Sequence, residues 1–325
     1  MATYKEIRGT QIEAVATDPS NPVEGQVWYN TTSNVLKGEA TTAAGSWATG
    51  GTLNTARNSL GGTGIKTAAL AFGGGPPPAP TAKQVTELYN GSNWTEVNDL
   101  NNKQAYNAGN GTTTSALSIG GDQYPNLAES WNGTNWTNIT GFSSPGQNAK
   151  SGIGASNTAA LWWGGAPGTN TNEYWNGSNW TELNDLNQPT KEGGSAGAVY
   201  TAGISFGGRN APGAYSTVTE LWNGTNWTEV NDLSTARGGV SSGPTGTQTS
   251  AVCGGGYDGT ALANTETWNG TNWTETTNIS SARNNFGGGG ASNASGLIFG
   301  GGSPGNATEE WTGAGAAQTR TFDDS

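Results

Sequence analysis

The sequence predicts an all-β protein built as a six-bladed β-propeller, on three observations. A Glu-x-aromatic segment, followed five residues after the aromatic by Trp, recurs along the chain. An apolar run closed by a Gly pair precedes each copy. No stretch of useful length carries the apolar period of an amphipathic helix. Four short strands per unit, repeated radially, is how a propeller is assembled.

The elements follow in order. ELYNGSNWTEV (87–97) returns as ESWNGTNWTNI (129–139), EYWNGSNWTEL (173–183), ELWNGTNWTEV (220–230) and ETWNGTNWTET (266–276). A worn copy, EEWTGAG, begins at Glu309. The leading Glu87, Glu129, Glu173, Glu220, Glu266 and Glu309 are 42, 44, 47, 46 and 43 residues apart. Apolar runs such as ALAFGGG (69–75), ALWWGG (160–165) and GLIFGGG (296–302) supply the second strand, and Gly-rich stretches such as ARNSLGGTG (56–64) the first. The third strand holds Glu-x-aromatic and the fourth opens with Asn-Trp-Thr. Asn-Gly joins them, a strong hairpin signal because both residues tolerate positive φ.

Outer strands begin at Trp94, Trp136, Trp180, Trp227 and Trp273, but the sixth copy has none. GSWATGG (45–51) supplies it: Trp47 stands ten residues before Arg57, as Trp227 does before Arg237 and Trp273 before Arg283. The N-terminal strand is therefore expected to complete the last blade, closing the ring and leaving no sheet edge to pair with other chains. The propeller then spans 45–313. Outside it lie an N-terminal arm, 1–44, with a hairpin around Thr32-Ser33-Asn34, and a C-terminal strand or tail, 314–325.

Composition bounds the chemistry. The 325 residues include 54 Gly, 14 Trp, one Cys and no His, with only 11% charged. That is too aromatic and too weakly charged for a disordered chain. Without His there is no Ser-His-Asp triad, His-ligated metal or proximal haem ligand, and one Cys (Cys253) removes disulfides and Cys-rich metal sites. A net charge of −11 disfavours nucleic acid and anionic lipid. No apolar run reaches the ~18 residues of a membrane span. The opening MATYKEIRGTQIEAVATD lacks a secretory h-region, so synthesis without a signal peptide and release by lysis are expected.

Each recurring feature has a structural and a functional reading. The Trp residues could stack on sugars, but one per blade at identical places fits packing between blades. The six Glu could form a cation-binding ring; pairing with backbone donors or a basic residue of the next blade is expected instead, with Arg57, Arg237 and Arg283 as partners for three. The Gly-rich strands lack the Lys-Ser/Thr of a phosphate loop. The many Asn-x-Ser/Thr triplets, among them Asn90, Asn132 and Asn176, are read as turns rather than glycosylation sites. No catalytic, cofactor or metal residue is nominated. The loops between second and third strands vary most, and variable loops on a rigid scaffold carry recognition. Tyr124, Arg209, Tyr215, Tyr257 and Asp258 are the contact candidates.

The apolar run, double Gly, aromatic and later Trp resemble the kelch repeat over roughly residues 45–313, although the units are shorter than the ~50 residues usual there. Catalytic kelch-like propellers, the copper-radical oxidases, use His ligands that this chain lacks. The opening MATYKEIRGTQIEAVATDPSNPVEGQVWYNTTSNVLKG and the ending EEWTGAGAAQTRTFDDS are similar to structural proteins of marine tailed phages. That resemblance implies a non-enzymatic virion protein, a tail-fibre adhesin or capsid decoration. Residues 1–44 would bind other virion proteins and the loops a host-surface glycan or protein. Two alternatives stand beside it: a soluble, multivalent carbohydrate-binding propeller with Trp-lined sites between blades, and a self-associating fibre subunit.

Overall fold

Short runs of β-branched, aromatic and small residues, each bounded by Gly or Asn turns, form strands, and no helix occurs among the described residues. The structure, a computed structural model, describes residues 12–20, 26–41, 44–76, 81–143, 151–210, 213–303, 305–315 and 317–322. The chain divides into two units, Ser46–Thr312 and a smaller one made of both chain ends.

Ser46–Thr312 holds six four-stranded antiparallel sheets among its described residues, a β-propeller-like architecture. The first comprises Gly61–Ile65, Ala68–Phe72, Thr86–Tyr89 and Trp94–Val97. The second to fifth repeat that order, starting at Ala108, Ser151, Gly194 and Gly246. The sixth joins Gly287–Ser292, Ser295–Phe299 and Thr308–Thr312 to Ser46–Thr49, with Trp47 opposite Trp311. The Gly-rich strands lie against one another, and this requires glycine: a Cβ on Gly109 would stand 2.4 Å from the Gly62 carbonyl oxygen.

Apolar faces of neighbouring sheets meet through the Trp that opens each fourth strand. Trp94 packs on Phe299, Trp136 on Phe72, Trp227 on Trp163 and Trp273 on Phe206, edge-on with centroids 4.8–4.9 Å apart. Where the facing third strand offers a Thr hydroxyl, the indole N–H donates to it. Trp94 reaches Thr308, Trp136 Thr86, Trp273 Thr219 and Trp47 Thr265, all at 3.0–3.1 Å.

The hairpins differ from the sequence expectation. Tyr89 pairs with Trp94, so four residues form the loop. Only Gly91 takes positive φ (91°), whereas the Asn90 side chain accepts the N–H groups of Ser92 and Asn93 at 3.0 and 2.9 Å. Asn is therefore present for its side-chain oxygen rather than for a left-handed backbone.

A second set of joints was not foreseen. Ser59, Tyr106, Glu192 and Asn285, where four Gly-rich strands begin, all have φ between 53° and 60°. Their backbones bond in series: Tyr106 N–H to Ser59 O, Ser59 N–H to Asn285 O, Asn285 N–H to Gly239 O and Gly239 N–H to Glu192 O, at 2.6–2.9 Å. The fifth Gly-rich strand shrinks to Gly246–Thr247. Before it, Ser242 donates through its hydroxyl to Leu60 O and through its N–H to Phe286 O, and its carbonyl accepts from Gly109 N–H. Three other sheets are thus tied to one crossing segment.

In the smaller unit, Glu13–Val15 runs parallel to Val27–Asn30, which pairs antiparallel with Val35–Thr41. The last strand, Ala317–Phe322, adds antiparallel to Val35–Thr41, so the segments expected as separate arm and tail share one sheet. Asp18 fastens it, accepting from Trp28 Nε1, Asn30 Nδ2 and Lys37 Nζ at 3.0, 2.7 and 2.7 Å. The expected hairpin lies here, its Asn30 side chain accepting from Thr32 and Ser33 N–H.

Candidate functional site

Strand alternation brings the variable loops to the end of the larger unit where one sheet connects to the next. Gly74 N–H, leaving the second strand of the first sheet, bonds to Gln104 O, which leads into the second sheet. Gly256 N–H bonds to Arg283 O in the same way. The uniform Asn-Gly loops lie at the opposite strand ends.

Four of the five contact candidates cluster there. The Arg209 guanidinium lies over the Tyr215 ring, 5.0 Å from its centroid. Tyr215 meets Tyr257 edge-on at 5.8 Å, and Asp258 follows directly in the chain. Arg209 is held from behind by Glu192, 3.6 Å away, and by a bond from its Nε to Gly213 O. Glu192 is one of the left-handed joint residues, so the cluster is anchored to the strand junction. Partial burial pushes the Tyr215 hydroxyl above its usual pKa, against the pull of Arg209. Hydrogen bonds from the Thr260 backbone and side chain hold the Asp258 carboxyl below its usual range. Two aromatic rings, a cation and an exposed carboxylate thus stand together at this end. Tyr124 stands apart, 51% exposed beside a shallow groove that includes Phe142.

The repeated Glu residues face inward. All six are buried. Glu87 accepts from Arg57 at 2.9 Å and Glu266 from Arg237 at 2.7 Å, and Arg283 donates to Glu309. Each arginine also donates to three backbone carbonyls, as Arg57 does to Thr55, Gly73 and Val85. The partner is therefore in the same sheet, not the next blade: the arginine precedes the first strand and reaches along the interior to the third. Burial lowers the pKa of Arg57 and Arg283, opposed by their carboxylates.

Trp94, Trp136 and Trp227 are buried, and their faces are taken by Phe299, Phe72 and Trp163. Trp180 and Trp273 are half-buried; Trp180 packs edge-on against Phe142.

Two cavities lie where the Gly-rich strands meet. One, about 40 Å³, is lined by the left-handed residues with Leu60 and Ser242. The other, about 430 Å³ and mainly apolar, opens at the hairpin end among Gly64, Gly111, Gly154, Gly197 and Gly290. Among the described residues no group of three or more Cys, Asp or Glu side chains could hold a metal ion. The loop cluster was invisible as a cluster in the sequence because Arg209, Tyr215 and Tyr257 come from two separated loops. No protein-family model matches the chain. No curated protein matches it.

Proposed function

We propose that the chain is a non-enzymatic display scaffold of a tailed-phage particle, presenting its variable loops to the host surface. The six sheets are blades of one ring, and Ser46–Thr49 closes it. Several contacts support closure. Trp47 makes with Thr265 the bond that Trp94, Trp136 and Trp273 make at their own junctions. The serial backbone bonds run from the second sheet through the first, the sixth and the segment leading into the fifth to the fourth. A ring without free edges suits a protein displayed at high local concentration. In this reading the smaller unit docks on other particle proteins.

The observation that carries the contact function is the Arg209–Tyr215–Tyr257 cluster at the variable-loop end. It also favours the variable-loop end over a Trp-lined site between blades as the place of any sugar binding. Labelled protein is expected to bind host cells, and Tyr215→Ala with Tyr257→Ala to lose that binding while melting at the same temperature. Mass spectrometry of purified particles tests location. Absence from particles would end the virion reading, and undiminished cell binding by the double variant would end the contact assignment.

A further inference from the structure

The sheets do not all carry the buried arginine. The position held by Arg57, Arg237 and Arg283 is Gln104 in the second sheet and Thr190 in the fourth. The surroundings are otherwise kept. Gly207, Val218 and Glu220 stand where Gly73, Val85 and Glu87 receive the Arg57 guanidinium.

In the second sheet the Gln104 amide is buried without a hydrogen-bond partner among the described residues, and Glu129 accepts four N–H bonds, two each from Asn101 and Asn102. In the fourth, Glu220 is 2% exposed and accepts three, from Asn187 N, Asn187 Nδ2 and Gln188 N. Thr190 is too short to reach it and donates to Gly207 O at 3.3 Å. A cavity of about 30 Å³ lies between them, lined by Thr190, Gly207, Asn210, Val218 and Glu220 among others. The Asn210 Oδ1 is buried without a hydrogen-bond partner among the described residues.

We propose that this cavity binds a monovalent metal cation, sodium or potassium, in the place of the missing guanidinium. The available ligands are oxygens: the Glu220 carboxylate, the Gly207 and Val218 carbonyls, the Thr190 hydroxyl and the Asn210 amide. Hard cations take such oxygen sets. One buried carboxylate balances one positive charge, whereas a divalent ion would leave a buried excess. The volume exceeds the ~10–15 Å³ that one water-sized guest needs. The ion does for the fourth sheet what Arg57 does for the first.

Two measurements test it. Crystals of the full chain soaked in thallium(I) or rubidium salt should show an anomalous peak within about 3 Å of Glu220 Oε1. Thermal unfolding in sodium chloride, potassium chloride and N-methyl-D-glucamine chloride at equal ionic strength should give the lowest midpoint in the organic salt. Each tenfold rise in the preferred ion above its dissociation constant should add roughly 2–4 °C. The preferred chloride tells sodium from potassium. Thr190→Arg, supplying its own guanidinium, should abolish both the peak and the salt difference. A missing anomalous peak in the parent chain at saturating salt, with only water against Glu220, overturns the site even if Thr190→Arg fails to fold.

Discussion

Replacing Arg237 by Met isolates the contribution of a buried ion pair. Arg237 and Glu266 are both fully buried. The guanidinium donates to Thr235 O, Gly255 O, Asn264 O and Glu266, while among the described residues Glu266 otherwise accepts only from Ser234 N–H. Removing the cation leaves a carboxylate in the interior with one neutral donor, and breaking such a pair costs about 3–5 kcal/mol. Gly255 O loses a donor as well, but Asn264 O keeps Gly255 N–H, so the total stays near the top of that range. Arg57→Met should cost less, about 2–3 kcal/mol, because Glu87 retains Asn54 N, Asn54 Nδ2 and Thr55 N. Arg237→Met with Glu266→Leu should recover most of the loss, leaving about 1–2 kcal/mol for the Gly255 carbonyl. Denaturant unfolding of the four proteins measures all three values. A loss below about 1 kcal/mol for Arg237→Met, or equal losses at Arg57 and Arg237, refutes the reasoning.

Other expectations follow from single contacts. Trp47→Ala removes the bond to Thr265 and the contact with Trp311, and at this half-buried position should cost about 2 kcal/mol by thermal unfolding. Hydrogen bonds from Lys37, then Trp28 and Asn30, depress the Asp18 carboxyl to about 2. Its folded pKa lies below the unfolded value, so its stabilisation is present above about pH 4 and is lost as pH falls through about 2. The Trp28 indole proton should titrate by NMR with a midpoint near 2; a midpoint near 4 counts against the Asp18 contacts. Burial pushes the Cys253 thiol up to about 12, so at pH 8 Ellman's reagent should react only at the rate of unfolding. Fast reaction under native conditions would show local opening at that strand.

The repeat made much of the architecture legible. Identical Glu-x-aromatic and Asn-Trp-Thr segments demand identical strands, and the ten-residue spacing from Trp47 to Arg57 located the strand that pairs with Thr308–Thr312. Local periodicity and turn chemistry act over a few residues, so one sequence suffices to read them. The arginines were legible as partners of the glutamates, but not in which sheet. That depends on side-chain reach across the interior rather than on order along the chain.

The sequence by itself determined the strands, their order within each repeat and the exclusion of His-based chemistry, because these depend on residue type and short spacing. Tertiary structure alone decided three other matters. It brought Arg209 and Tyr215 against Tyr257 from another loop, carried Ser242 across to Leu60, Gly109 and Phe286, and made a cavity where Thr190 replaces an arginine. The physical reason is common to all three. Each depends on distances between groups far apart in the chain, which close packing of the sheets fixes and no local pattern encodes.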